Sequence, residues 1–348
     1  MAVRSPWEGA AVGFRVRRSF KVMPGVRMTV TPRGVSTSVG TRGARVSVHS
    51  SGRVTRTVGI PGSGISHTST TRVGASTRQP TRGAGAPGPA RPPEPAKPGM
   101  FAPKWEKALH RAAIQQRDAN AVRAVANEHA EARQSAALLE TLMGALPVND
   151  VARVRQLLGW LWDGGYDPAA DVFMTRYLPG AGLALEVAPG ITVELPLTRD
   201  AVGLALAEAH QSAGDVVAAC DVVEQVTPST VAAVSLAELY AEQGRWQEVI
   251  ALTDGVTNED EATMFLLVQR AAALRQTGSP GAAREALKEA LRLRSRPAEL
   301  RHRALIERAY TYLAENKRAM ARKDLEKVLA ENSTYPGLAE AMAELPPS

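Results

Sequence analysis

Four helix-breaking residues recur at nearly regular distances between residues 200 and 336. They are Gly214, Gly244, Gly278 and Asn316, and the distances between successive breaks are 30, 34 and 38 residues. Each break separates two segments in which apolar residues recur with the helical period of about 3.6. A single unit of this length cannot bury its own apolar face, but stacked units can. The sequence therefore predicts four helix pairs that share one core.

Small side chains occupy two fixed positions in each predicted pair, seven residues before the break and five residues after it. They are Ala207, Ala237, Ala271 and Ala309 before the breaks, and Ala219, Val249, Ala283 and Ala321 after them. A larger side chain lies four residues before each break, at His210, Tyr240, Leu274 and Tyr312. A small residue on one helix facing a larger one on its neighbour lets antiparallel helices approach closely, so the pattern favours stacked pairs.

At these positions the chain resembles the tetratricopeptide repeat family, over about 134 residues and best within residues 264–297. The first helices lack the early tryptophan of that family, and the repeat-end prolines are displaced to Pro228, Pro297 and Pro336. The resemblance implies an α-solenoid that binds a protein or peptide in a groove lined by the first helix of each pair. An ordinary alanine-rich helical bundle is the alternative that the sequence leaves open.

The resemblance also implies which residues line this groove. They are Leu204, Glu208, Gln211, Val234, Glu238, Phe265, Val268, Arg275, Arg303, Ile306 and Tyr310. Glu208 and Glu238 occupy equivalent positions, whereas residues 284–327 contain 13 basic and 7 acidic residues. We therefore expect a basic or amphipathic peptide at the first two pairs. The Lys/Asn set with which some family members hold a C-terminal carboxylate is absent.

A different periodicity marks residues 13–72, where apolar residues alternate with polar ones and glycine-rich turns separate the runs. This pattern predicts a small antiparallel all-β module built from short hairpins. Residues 13–68 contain G-F-R-V-R-R-S-F-K-V-M-P-G-V-R and, later, G-V-S-T-S-V-G and T-V-G-I-P-G-S-G-I-S. These motifs resemble a bacterial module known as domain of unknown function 4236. The resemblance implies no activity.

The net charge of +7 is the sum of two parts of opposite sign. Residues 1–99 contain 16 basic and 2 acidic residues, whereas residues 100–348 contain 26 basic and 33 acidic residues. A region so basic attracts polyanions. The candidate polyanion-binding residues are Arg15, Arg17, Arg18, Lys21, Arg27, Arg45, Arg53 and Arg56. The strands predicted from Val26 onward supply no Tyr, Trp or Phe for base stacking, so nucleic acid would be bound through phosphates with little sequence preference. The alternative is that these residues meet the acidic helices, since residues 100–283 contain 13 basic and 23 acidic residues.

Two further segments complete the predicted organisation. Residues 73–103 contain eight prolines and five glycines, which predicts a disordered linker. Residues 104–199 have helical periodicity until Leu183, where alternation on both sides of Pro189-Gly190 predicts a β-hairpin over residues 183–198. The four helix pairs occupy residues 200–336.

The residues that usually carry chemistry are sparse. Cys220 is the single cysteine and has no basic neighbour in the sequence, and the six histidines do not have metal-ligand spacing. No apolar run has the length of a signal peptide or membrane span. We therefore predict a cytoplasmic, non-catalytic scaffold without cofactor, metal or membrane span, its oligomeric state left open. A less favoured hypothesis is an enzyme with a site near residues 160–200, where Trp160 and Trp162 lie.

Overall fold

The computed structural model describes the backbone of six strands within residues 18–72, and then residues 96–188 and 191–345. Most of the linker predicted over residues 73–103 therefore lies outside the described residues. The described residues form two compact units. One comprises the part of the chain up to Glu186 together with Val193–Ala209, and the other comprises Val187–Thr192 and the residues from His210 onward.

The strands form one antiparallel series. The first six are β1 (Arg18–Met23), β2 (Val26–Thr31), β3 (Gly34–Thr41), β4 (Ala44–His49), β5 (Arg53–Gly59) and β6 (Ser66–Arg72). Each pairs with the next one along the chain, as in a meander of hairpins. Strand β1 also pairs with β7 (Gly182–Ala188), which is followed by β8 (Ile191–Pro196). The two last strands lie where the alternation predicts a hairpin.

Five short helices with irregular connections precede this hairpin. They are α1 (Lys104–His110), α2 (Ala119–Glu128), α3 (Arg133–Glu140), α4 (Val151–Asp163) and α5 (Val172–Tyr177). Helix α1 continues into a π-helical segment over Arg111–Gln116, and α3 continues into another over Thr141–Ala145. A 3-10 turn over Ala130–Ala132 precedes α3. Two of the turns, at Asn149 and Gly165, have a left-handed residue, and the amide that follows it donates a hydrogen bond to the carbonyl five residues earlier at 2.9 Å.

Aspartates fix the starts of three of these helices. The carboxylates of Asp118, Asp150 and Asp171 accept hydrogen bonds from backbone amides two or three residues further on, at 2.8, 3.0 and 2.7 Å. These bonds satisfy amides that have no partner within the first helical turn. Asp171 also accepts hydrogen bonds from Ser135 Oγ and Tyr166 OH, both at 2.6 Å, and so joins α5 to α3.

Four helix pairs and one final helix make up the rest of the chain. The pairs are α6 (Arg199–Ser212) with α7 (Val216–Val223), α8 (Thr230–Glu242) with α9 (Trp246–Leu252), α10 (Glu261–Gln276) with α11 (Pro280–Ala290), and α12 (Ala298–Ala314) with α13 (Arg318–Glu331). The final helix is α14 (Leu338–Ala343). The C-terminal region is helical, and the breaks lie between the two helices of each pair.

The turn between the helices is the same in all four pairs. Gly214, Gly244, Gly278 and Asn316 have φ values of 78°, 69°, 83° and 59°. In each turn the amide after the break donates a hydrogen bond to the carbonyl five residues earlier, at 2.7–2.9 Å. These carbonyls belong to His210, Tyr240, Leu274 and Tyr312. A left-handed residue with this long-range bond closes a helix end and satisfies carbonyls that the helix leaves free.

The helices stack in a fixed order. Helix α10 packs against α8 and α9 of the preceding pair and against α11 and α12, while α14 packs against α12 and α13. All eight small residues at the two fixed offsets are buried, and none is more than 1% exposed. The small residues therefore lie where helices approach one another, as their spacing predicts.

Arg199 fixes the start of α6 in the first unit. Its guanidinium lies 4.2 Å from the Trp162 ring centre and donates a hydrogen bond to the Trp162 carbonyl at 3.1 Å. Its backbone amide donates to Asp167 Oδ1 at 3.0 Å. Trp162 is buried. Trp162 is one of the two tryptophans that suggested an enzyme site near residues 160–200, and in this structure it packs against Arg199.

Candidate protein-interaction surface

The predicted groove residues divide by burial into a larger and a smaller set. Eight are buried, namely Leu204, Val234, Phe265, Val268, Arg275, Arg303, Ile306 and Tyr310. The other three, Glu208, Gln211 and Glu238, are half-buried. All three are polar and belong to the first helices of the first two pairs. The part of this predicted set that is accessible to solvent is therefore polar.

Four of the buried groove residues contact one another between α10 and α12. The Arg303 guanidinium lies 4.5 Å from the centre of the Phe265 ring, and that of Arg275 lies 5.6 Å from the centre of the Tyr310 ring. An arginine over an aromatic face is attracted by the ring quadrupole, and the attraction is stronger where water is excluded. These residues hold neighbouring first helices together.

A buried ion pair crosses the same boundary. Arg275 Nε donates a hydrogen bond to Glu307 Oε1 at 2.7 Å, and the two side chains are only 3% and 2% exposed. Burial also raises the pKa of the Tyr310 hydroxyl, which keeps it neutral. Two opposite charges at this depth need each other, because either one alone would be a buried unpaired charge.

The start of the array is acidic. Residues 210–244 contain five carboxylates and no lysine or arginine. Two of them, Glu238 and Glu242, lie four residues apart and so on the same side of α8. Glu242 is exposed, and its Oε2 accepts a hydrogen bond from Gln211 Nε2 at 3.0 Å. The arrangement places hydrogen-bond acceptors and negative charge at the surface of α8.

Glu242 is a candidate that the sequence analysis missed. The family resemblance selects positions by their offset from the break, and Glu242 lies outside those offsets. The signal was nevertheless present, because a carboxylate four residues after Glu238 extends the same helix face. Its contact with Gln211, on the preceding first helix, places it beside a predicted groove residue.

Cys220 has a different environment from the one the sequence predicts. Arg245, 25 residues further along the chain, places its Nη1 3.3 Å from the Cys220 sulfur. The sequence prediction that no basic group lies near this thiol is therefore wrong, because the contact depends on the stacking of α7 and α8 with the turn after α8. Burial nevertheless raises the pKa of the thiol and outweighs the lowering by Arg245.

The candidate polyanion-binding residues are only partly described. Arg15 and Arg17 lie outside the described residues. Arg18 and Lys21 belong to β1, Arg27 to β2 and Arg45 to β4. Both Arg53 and Arg56 belong to β5.

Membrane and metal sites were sought within the same limits. No helix among the described residues is long and apolar enough to cross a bilayer. In that part of the chain, no three or more His, Cys, Asp or Glu residues are grouped as metal ligands would be.

Comparison with known proteins gives a family match and similarities to solved structures. Residues 14–68 match a family model described as a protein of unknown function, DUF4236. No curated protein matches the chain. Among solved structures, the chain is similar to the crystal structure of the N-terminal domain of the EccA1 ATPase from the ESX-1 secretion system of Mycobacterium tuberculosis. The identity is 17%, the TM-score is 0.46, and the match covers 69% of this chain and 86% of that chain.

Proposed function

We propose that residues 200–336 form a tetratricopeptide-like solenoid that binds another protein without catalysing a reaction on it. The observation that supports this most strongly is the equivalence of the four turns, with the same left-handed break and the same hydrogen bond in each. Equivalent units stacked in series present an extended surface built from one repeated element, and such surfaces serve protein recognition.

The proposed ligand is a basic or amphipathic peptide segment that lies on the first two pairs. Glu238 and Glu242 supply the negative charge, and Gln211 supplies an amide beside them. Electrostatic complementarity of this kind selects the partner and speeds its association. The buried groove residues further along serve to hold the array in shape.

The absence of catalysis is part of the proposal and is supported by the environment of the groups best suited to chemistry. The Cys220 thiol is buried and its pKa is raised, which is opposite to the shift a nucleophilic cysteine needs. The buried carboxylate of Glu307 is paired with Arg275, and that of Asp324 with Arg308 at 2.7 Å. These carboxylates neutralise the arginines with which they are paired.

The test is affinity capture with the immobilised full chain and two double variants. E238Q/E242Q removes two carboxylates from the face of α8, while E285Q/E326Q removes two exposed carboxylates from the second helices of later pairs. Each charge pair near the surface contributes up to about 1 kcal/mol to binding. We therefore expect E238Q/E242Q to lower the affinity for the captured partner about tenfold. The control variant should bind as the wild type does. Equal weakening by both variants would contradict the proposed surface, and the lack of any specific partner would contradict the proposed function.

A further inference from the structure

The register of β1 to β6 divides their residues into two chemically different sets. Residues paired across antiparallel strands belong to the same face of a sheet, and successive residues of a strand alternate between faces. The pairing Lys21↔Arg27, Arg27↔Ser38, Ser38↔Ser47 and Ser47↔Thr55 follows one row across five strands. Continuing these rows assigns every residue of the regular ladders to one face or the other.

One face consists entirely of Lys, Arg, Ser, Thr, His and Gly. Its basic residues are Lys21, Arg27, Arg45, Arg53 and Arg72. Valine is confined to the opposite face in the regular ladders of β2 to β5. Neither face contains a carboxylate, because residues 18–72 contain no Asp or Glu. We call the first set the polar face.

The register also separates the predicted polyanion-binding residues. Arg18 pairs with Val30, and Arg56 pairs with Val46, so both belong to the valine-rich face. Lys21, Arg27, Arg45 and Arg53 belong to the polar face, which Arg72 joins through its pairing with Arg53. Basic residues that are close in the sequence are thus divided between two faces. On the polar face, the basic residues lie among serines and threonines.

We infer that the polar face of β1 to β6 binds the phosphate backbone of nucleic acid without reading its sequence. Arginine, lysine, serine and threonine are the residue types that contact phosphate oxygens. The basic residues extend from β1 to β6, and five strand spacings of about 4.8 Å place them over about 24 Å. That distance equals about seven base-pair steps of 3.4 Å. The face contains no Phe, Tyr or Trp on which bases could stack, so the contacts are chiefly electrostatic.

This inference goes beyond the proposed function, because it concerns a different part of the chain and a different class of ligand. The competing occupant is the acidic helical part of the same chain. If that part covered the polar face, the full chain would not bind nucleic acid, and the test therefore uses the full chain.

The experiment measures binding of the full chain to a mixed-sequence 30-base-pair DNA duplex between 50 and 200 mM salt. If all five basic residues contact phosphates, the affinity falls about 500-fold over this range, because each contact contributes about 0.9 to the slope of log K against log salt. The variant R27Q/R45Q should lose two contacts, so its affinity should fall only about 40-fold over the same range. R18Q/R56Q removes the same net charge from the valine-rich face and should keep the wild-type slope.

The conservative variant R27K/R45K retains the charge and should also keep the wild-type slope, which separates loss of contacts from loss of folding. Two results would overturn the inference. One is the lack of binding by the full chain at 50 mM salt. The other is an equal change of slope in R27Q/R45Q and R18Q/R56Q, since net charge and not a particular face would then determine binding.

Discussion

The helices before the hairpin and the helix pairs after it solve the same packing problem differently. Between residues 104 and 178 the connections are of several kinds: two π-helical segments, a 3-10 turn, and the left-handed turn with its long-range hydrogen bond at Asn149 and Gly165. Between residues 199 and 331, one turn is used four times. The difference is one of regularity: the helix pairs place one kind of turn at nearly even intervals, whereas the first region combines it with other kinds of connection.

The two regions also bury charge differently. Glu140, between the first helices, is 4% exposed and is paired with Arg123 and Arg153, which are 50% and 28% exposed. In the helix pairs, both Arg275 and Glu307 are buried. The arginines around Glu140 remain partly hydrated when the carboxylate is removed, but Arg275 and Glu307 each depend on the other.

The largest effect is expected from breaking the fully buried pair. Arg275→Met leaves Glu307 without its cation and should lower the free energy of unfolding by about 3–5 kcal/mol. The double variant R275M/E307L replaces both charges with apolar side chains and should recover most of this loss. Urea unfolding followed by circular dichroism measures both. A double variant as unstable as the single one would show that the pair does not act as a unit.

A smaller, pH-dependent effect is expected at Glu140. Burial alone would raise its pKa, but hydrogen bonds from Arg153 and Arg123 hold it below the ordinary value of 4.5. Its contribution to stability is therefore complete above pH 4.5 and is lost as the pH falls through the lowered pKa. Glu140→Gln should cost about 2 kcal/mol at pH 7, and the difference from wild type should shrink towards pH 3.

Thermal or urea unfolding across this pH range provides the measurement, with the exposed Glu128→Gln as the control. The control should change the free energy of unfolding by less than about 0.5 kcal/mol at every pH. A difference between wild type and Glu140→Gln that persists unchanged at pH 3 would contradict the role given to the charge.

The repeated turn is tested by a pair of neighbouring glycines. At both Gly278 and Gly281 an added Cβ would have no atom within 4 Å, but only Gly278 has a positive φ, of 83°. Gly278→Ala should therefore cost about 1–2 kcal/mol through backbone strain alone. Gly281→Ala, in a right-handed helix, should instead stabilise by about 0.5–1 kcal/mol. Opposite signs in urea unfolding support the account, and equal signs contradict it.

The smallest effect is expected at the fourth turn, where an asparagine replaces glycine. Asn316 has a φ of 59° and is exposed. Asn316→Gly removes the strain of a left-handed residue with a Cβ and should stabilise by about 0.5 kcal/mol. A loss of stability, measured by the same unfolding experiment, would show that this turn is not equivalent to the other three.

Much of the second region could be predicted from the sequence, because the breaks and the small residues at fixed offsets determine which side of each helix faces its partner. The distance between neighbouring first helices has no comparable signal in the sequence. The burial of Phe265 and Arg303, and the pairing of Arg275 with Glu307 32 residues away, depend on that distance. For this reason the sequence predicted a lined groove where the structure has packed residues.

The first region could be predicted only in outline. The caps at Asp118, Asp150 and Asp171 are local signals, but the π-helical segments have no counterpart in the apolar periodicity. The pairing of Glu140 with two arginines at separations of 17 and 13 residues also depends on the tertiary arrangement.

Photo-crosslinking in cells that express the protein tests the central claim most directly. A photoreactive amino acid is placed at Glu242, on the proposed surface of α8, or at Glu285, an exposed residue of α11. Our account predicts that position 242 crosslinks one defined partner, identified by mass spectrometry, and that position 285 does not. No crosslink at position 242, or the same crosslinks from both positions, would contradict the claim that the first helices of the array bind a protein.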